Sequence, residues 1–193
     1  MKKFILGLFL GLTLVLAGCE GTASNIYEFI IDESYDEFIV MGTSADYPPY
    51  ESPGVVDGKE TLVGIDIEIG KYIAEALEMN LQVINRGFDF LIEDLENGKV
   101  DFVLAALSPT EERAERVDFS MIYYEASQVV LMSADDVATY DSIESLDVAE
   151  VKLGAQLGSI QQDLLSEFFV DVQTQVVQSV TDLVLYLESE QLT

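Results

Sequence analysis

The sequence predicts an α/β fold with largely parallel sheets, arranged as two similar lobes, and three observations carry that expectation. Apolar spacing switches repeatedly between strand and helix periods from residue 37 to residue 106. The same alternation restarts at Ser127. A faint internal echo also links the halves: Leu95-Glu96-Asn97-Gly98-Lys99-Val100-Asp101 closes one helix, and Leu187-Glu188-Ser189-Glu190-Gln191-Leu192-Thr193 closes another in the same way. Strands alternating with helices favour a parallel sheet covered on both faces. Residues 37–124 are assigned to lobe 1 and residues 125–193 to lobe 2.

In lobe 1, Glu37 to Thr43 is a buried strand ended by the turn-forming Asp46-Tyr47-Pro48-Pro49. Thr61 to Gly64 is a short strand. Asp66 to Met79 is a helix with Ile69, Ile73, Ala76 and Leu77 on one face. Asn80 to Asn85 returns as a strand, Phe90 to Glu96 is a helix stopped by Asn97-Gly98, and Val100 to Ala106 is a nearly unbroken apolar strand. In lobe 2, strands are expected at Ser127–Met132, Val151–Gln156 and Val172–Val177, with helices at Ser159–Phe169 and Ser179–Ser189. By analogy with the first echo segment, a strand should follow Thr193, so the sequence is expected to stop short of a complete second lobe.

The first 19 residues form an address. Lys2 and Lys3 precede a short apolar run, Phe4 to Leu16, well under the roughly 20 residues a membrane span needs. Leu16-Ala17-Gly18-Cys19 closes that run with small residues before a cysteine, the pattern of a bacterial lipobox. Residues 1–19 are therefore a lipoprotein signal peptide, Cys19 is the expected lipidation (palmitate) site, and residues 20–36 are a tether. Cys19 is the only cysteine, so this sequence contains neither an internal disulfide nor a cysteine-built metal site.

The 193 residues carry 9 basic and 36 acidic side chains, a net charge of −27. Such a chain repels nucleic acid, whose binding runs on Lys and Arg. A hydrophobic fraction of 49% separates it from disordered acidic segments and permits a real core. Histidine is absent, which removes the commonest general base and metal ligand.

The chemistry concentrates where strands feed helices. Ala105-Ala106-Leu107-Ser108-Pro109-Thr110-Glu111-Glu112-Arg113 has Ser108 in the form of an N-cap, Pro109 at the first helical position and Glu111 completing a capping box. The free amides of such a start favour an anion, and Arg113 adds a two-pronged donor suited to a carboxylate. A well-capped helix with Arg113 paired to an acidic neighbour accounts for the same residues. In lobe 2, Gly154-Ala155-Gln156-Leu157-Gly158-Ser159-Ile160-Gln161-Gln162 is again a strand, a glycine turn and a helix capped by Ser159. Ligands of open α/β sheets bind beyond the strands' carboxyl ends, so these two ends are expected to face one cleft. Tyr47, Tyr50 and Phe88 fall at the same end of the lobe 1 sheet.

Taken in order, several segments resemble a known family. They are Gly42-Thr43-Ser44-Ala45-Asp46-Tyr47-Pro48-Pro49-Tyr50-Glu51, Gly64-Ile65-Asp66-Ile67-Glu68, Phe88-Asp89-Phe90-Leu91-Ile92 and Asn97-Gly98-Lys99-Val100-Asp101. Ser108-Pro109-Thr110-Glu111-Glu112-Arg113, Val117-Asp118-Phe119-Ser120, Tyr123-Tyr124 and Gln156-Leu157-Gly158-Ser159 continue the series. The set resembles the family 3 extracellular solute-binding proteins, the amino-acid receptors of ABC importers, over essentially all of the chain after the tether.

The resemblance implies a two-lobed type II periplasmic-binding-protein fold that closes on its ligand about a hinge. It implies that Arg113 grips the ligand's α-carboxylate, with the Ser108 amide assisting. Ser108 and the Ala106 carbonyl would hold the ammonium end. Tyr47 and Phe88 would sandwich the side chain, with Tyr50 beside them, and the backbone amides of Ile160 and Gln161 would serve the carboxylate from lobe 2. Further family elements, an acidic residue for the ammonium and a return crossover into lobe 1, would fall beyond Thr193. The implied partners are an amino acid, the permease subunits of an importer and the membrane through Cys19, with no nucleic acid. A monomer outside the cytoplasm, needing no cofactor or metal, is expected. The alternative is an exported dehydratase-like or lyase-like enzyme on the same fold, for which Glu51 is the best-placed carboxyl. A receptor's sensor module fits less well, since a lipobox tethers the chain and no transmembrane helix follows it.

Overall fold

The computed structural model describes residues 25–193, so the leader, the lipobox and Cys19 lie outside the described residues. The first sheet has four strands in the order β1-β5-β2-β6. These are β1 (Ile26–Phe29), β2 (Phe38–Thr43), β5 (Asn80–Asn85) and β6 (Phe102–Val103). Strand β2 lies parallel to β5 and β6, and β1 closes the far edge antiparallel to β5. Two further strands, β3 (Ser52–Val56) and β4 (Lys59–Val63), form a separate hairpin. The second lobe holds β7 (Lys152–Gln156) and β8 (Gln173–Val177) as a parallel pair. Thr193 lies beside β7, its amide donating to the Lys152 carbonyl at 2.9 Å.

Among the described residues the α-helices are α1 (Ile65–Ala76), α2 (Leu91–Glu96), α3 (Glu111–Ala114), α4 (Ile160–Phe168) and α5 (Val180–Glu188). A 3₁₀ turn, Phe88–Phe90, leads into α2. The α/β, two-lobed architecture with mostly parallel sheets is as the sequence predicts.

Several elements differ in detail, each for a physical reason. Strand β1 falls inside the stretch assigned to the tether. Tyr27 and Phe29 alternate inward against the first core, and the buried Asn80 ties down the chain that follows. Its Oδ1 accepts from Ile31 N at 2.8 Å and its Nδ2 donates to the Tyr35 carbonyl at 2.9 Å. The face of α1 is also rotated from the expected one. Ile67, Gly70 and Ala74 turn inward, while Leu77 is exposed. Small residues win because the helix sits close on the sheet: a Cβ at Gly70 would stand 2.5 Å from Met41 Sδ.

Strand β6 is two residues long, not the seven expected, because it pairs on one side only and the chain turns away at Ala106, whose φ is +46°. Ser127–Met132 is not a strand. No neighbouring strand among the described residues offers it a ladder, so Val129 and Leu131 stand 84% and 68% exposed despite their β propensity. The hairpin β3-β4 was not expected as such. Its turn is Asp57-Gly58, both residues at positive φ, as a two-residue hairpin loop demands.

The two cores are unequal. Met41, Leu62, Ile67, Ala74, Leu81 and Val83 are buried together in the first lobe. In the second, Leu146, Val151 and Leu153 form the buried set, with Met132, Leu165, Phe169 and Val172 packed around it.

Candidate functional site: a cleft where two strand ends meet

Both lobes bring the carboxyl ends of their strands to one place. The loop after β2 folds into a tight turn, with Tyr47 N donating to the Glu51 carbonyl at 2.9 Å and Tyr50 N to the Tyr47 carbonyl at 3.0 Å. This loop also caps α1, which has no side-chain cap of its own. Ile65 N donates to the Pro49 carbonyl and Asp66 N to the Tyr50 carbonyl, at 3.0 and 2.9 Å. Gly64 is needed for that approach. Its φ is +135°, and a Cβ there would stand 2.1 Å from the Tyr50 oxygen. The rings of Tyr47 and Tyr50 stack at 5.6 Å with an 11° interplanar angle, and Tyr124 meets Tyr50 edge-on.

Below the loop lies a buried acid pair. Asp66 is fully buried, and its Oδ2 accepts from Ala106 N at 2.8 Å. The Tyr123 hydroxyl donates to the same carboxylate at 3.0–3.1 Å. Burial, then the charge of Asp66, raises the Tyr123 phenol. Glu51, 1% exposed, is pushed up to about 10 by burial first, then by the charge of Asp66 and a hydrogen bond with it, then by Asp46. Glu51 is thus a neutral acid at physiological pH. The positive φ of Ala106, uncommon for a residue with a Cβ, aims its amide at Asp66.

Arg113 spans the cleft. Its Nη1 donates to the Ser108 carbonyl at 2.7 Å and its Nη2 to the Gly158 carbonyl of the second lobe at 2.9 Å. The guanidinium lies 5.6 Å from the centroid of Phe88. Burial lowers its pKa, against the raising charges of Asp163 and Glu112. The cap assigned to Ser108 belongs to Thr110, whose side chain accepts from Arg113 N at 3.2 Å. The carbonyl of Ser108 serves Arg113 instead, and Pro109 stands before the helix rather than at its first position. An N-cap must lie two or three residues before the amide it meets, which Thr110 does and Ser108 does not.

On the second lobe, Ser159 caps α4 as expected, accepting from Gln162 N at 3.3 Å. The Gln162 side chain returns to Gly158 N at 2.8 Å. Ile160 and Gln161 occupy the first turn of α4, where backbone amides lack intrahelical partners, and Gln161 Nε2 reaches Gln128 Oε1. Gly158 has φ +74°, and a Cβ there would stand 3.2 Å from Asp89 Cα. The lobes touch again at Asp46. Its Oδ2 accepts from Gln156 Nε2 at 3.2 Å and from Val180 N at 2.9 Å.

Of the residues marked from sequence, Phe88, Ser108 and Arg113 meet in one cluster, with Ile160 and Gln161 two and three positions beyond Gly158. Tyr47 and Tyr50 stack on one another. Ala106 meets Asp66 through its amide. Asp46, Gln156 and Val180 were not singled out as contacts, because a bridge between lobes leaves no periodic trace in sequence.

This arrangement is that of a two-lobed solute receptor, and the comparisons with known proteins agree. The family model of the bacterial extracellular solute-binding proteins, family 3, matches residues 39–185, and the chain belongs to that family. A curated relative, the arginine-binding extracellular protein ArtP of Bacillus subtilis, is 34% identical over 98% of this chain and 70% of its own length. The structure of AbpA from Streptococcus pneumoniae, an amino acid ABC transporter substrate-binding protein bound to L-arginine, superposes with a TM-score of 0.76 at 34% identity, covering 80% of this chain and 65% of that one. AncCDT-1, an ancestral amino-acid-binding protein and precursor of cyclohexadienyl dehydratase, gives 0.76 at 28% identity, over 80% and 67%. The chain therefore spans about two thirds of the length of these relatives. Membership places the protein outside the cytoplasm. Among the described residues no helix is long and apolar enough to cross a membrane.

Proposed function

We propose that the protein captures a cationic amino acid, L-arginine foremost, in the cleft between its lobes and hands it to the permease of an ABC importer. The observation that carries this reading is Arg113, half-buried between the Ser108 carbonyl of one lobe and the Gly158 carbonyl of the other, above Phe88. A guanidinium has five N–H donors, and these two bonds use two of them. The remaining donors suit a carboxylate gripped in bidentate fashion.

In this reading Arg113 holds the ligand's α-carboxylate, assisted by the Ser108 amide. The amides of Ile160 and Gln161, at the positive end of α4, meet it from the second lobe. The carbonyl of Ala106 and the hydroxyl of Ser108 take the ammonium group. Tyr47 and Phe88 flank the side chain with Tyr50 beside them, and electron-rich ring faces favour a cation. Relatives named for arginine binding support the cationic class. The chain's net charge of −27 steers cations toward it. Cys19, following the lipobox, is assigned as the acylated residue that tethers a monomer outside the membrane, with residues 37–124 and 125–193 as the two lobes.

Glu51 has the raised pKa that an acid catalyst needs. It is 1% exposed, which suits a structural acid better than one presented to a substrate. A thermal-melt screen against the common amino acids tests the proposal. A ligand at 100 times its Kd should add about 2.7 kcal/mol of stability. Basic amino acids should raise the melting temperature and acidic ones leave it unchanged. A melt that no amino acid shifts would count against the reading.

A further inference from the structure

We propose that Asp46 is an interlobe latch, a positioning residue that fastens the second lobe over the first and thereby sets ligand affinity without touching the ligand. The inference rests on the binding reading only for its affinity arm.

Asp46 belongs to the loop after β2, where its amide donates to the Ser44 carbonyl at 2.8 Å and its Oδ1 accepts from Ser44 Oγ at 3.5 Å, while its Oδ2 reaches the other lobe. Its Oδ2 accepts from Val180 N at 2.9 Å and Gln156 Nε2 at 3.2 Å. Val180 is the first residue of α5. That helix's own cap, Ser179, serves Thr181 N at 3.1 Å, so the cap is divided between lobes: one amide is met from within and the preceding one from Asp46. A carboxylate at a helix N-terminus is favoured by the helix dipole as well as by the bond itself. Gln156 is buried and donates also to the Gln178 carbonyl at 3.2 Å, which fixes its amide to face Asp46.

The surrounding surfaces are shaped for the same closure. Gly158 packs on Asp89, where even a methyl group would stand 3.2 Å from the Asp89 backbone. A Cβ at Gly87 would lie 3.1 Å from the Gln178 side-chain oxygen. Opening the lobes parts Asp46 from two donors at once. The closed state is therefore favoured before any ligand enters, and a ligand's apparent affinity scales with the population of that state.

The test uses the full chain with Cys19→Ser and spin labels at Lys59→Cys and Val170→Cys, one per lobe. The ligand-free parent should show a short, narrow interlobe distance. Asp46→Ala should broaden it toward longer values. Val180→Pro should do the same, because proline is tolerated at a first helical position and removes only the N–H that Asp46 accepts. The double variant should open no further than either single one. L-arginine should bind the two single variants on the order of tenfold more weakly than the parent. If Asp46→Ala fails to fold, Val180→Pro and Gln156→Ala carry the same comparison from the other lobe. Identical distance distributions in parent and folded variants would overturn the latch. If the parent binds no basic amino acid, the proposed function falls, while the distance comparison still decides the latch.

Discussion

The two lobes solve the same packing problem with different resources. In the first, four strands and α1 enclose Met41, Leu62, Ile67, Leu81 and Val83, and a loop's own carbonyls cap the helix. In the second, two strands enclose Leu146, Val151 and Leu153, and serine side chains cap both helices. A two-stranded sheet with a small core is marginal by itself. What the second lobe lacks in burial it takes partly from capping and partly from contact across the cleft, at Asp46 and Arg113. The second lobe thus has less stability of its own than the first.

The sharpest way to break this contrast is to hollow out each core in turn. Leu81→Ala removes a fully buried side chain from β5, which pairs with both β1 and β2, and should cost about 2–5 kcal/mol of global stability by chemical denaturation. Leu153→Ala in β7 should loosen the second lobe alone. Hydrogen exchange should then rise through residues 146–188 while the protection of β2 and β5 stays near that of the parent. Equal loss of protection in both lobes would mean that the chain is one cooperative unit.

The acid pair offers a pH test confined to the first lobe. Glu51 titrates near 10 folded and near its ordinary 4.5 unfolded, so between those values the folded state holds a proton that the unfolded state releases. Its contribution is fully present below about pH 4.5 and declines as pH rises toward 10. Glu51→Gln places a neutral side chain beside Asp66 without that linkage. It should stabilise the protein by about 1–3 kcal/mol at pH 8, and the gain should shrink toward pH 5. Melting curves at the two pH values check it. A gain that does not vary with pH would reject the account of Glu51 as a buried neutral acid.

A smaller effect belongs to the second lobe. Ser159 both accepts from Gln162 N and donates to the Gln156 carbonyl. Ser159→Ala should cost about 1 kcal/mol and be felt mainly as faster exchange at the start of α4.

How much of this was legible in the sequence follows the range of each interaction. Asn80–Asn85 appears as a strand with the expected limits, and the α4 cap at Ser159 is where the glycine turn puts it. Both are local signals. Half of the hairpin β3-β4 is legible, as the strand at Thr61–Gly64, while Pro53 and Gly54 argue against a strand in the other half. Ser127–Met132 has strand-forming residues and no partner, and a ladder needs two sides. In the site, Arg113, Ser108 and Phe88 come together as the motif order suggested. The Asp46 bridge and the Asp66–Tyr123 bond join residues 134 and 57 positions apart, and no local pattern encodes such pairs.

The most direct test of the central claim is calorimetric titration of the protein with L-arginine, with citrulline and with agmatine. Citrulline keeps the α-carboxylate and loses the side-chain charge; agmatine keeps the guanidinium and loses the carboxylate. L-arginine should bind tightest, and agmatine should lose the bidentate grip of Arg113, at about 1.5–3 kcal/mol or more. The Arg113→Ala variant should prefer L-arginine over agmatine by a much smaller margin, the share left to the Ser108, Ile160 and Gln161 amides. If that variant still prefers L-arginine by the parent's margin, Arg113 is not the carboxylate clamp, and the cleft described here is not the binding site.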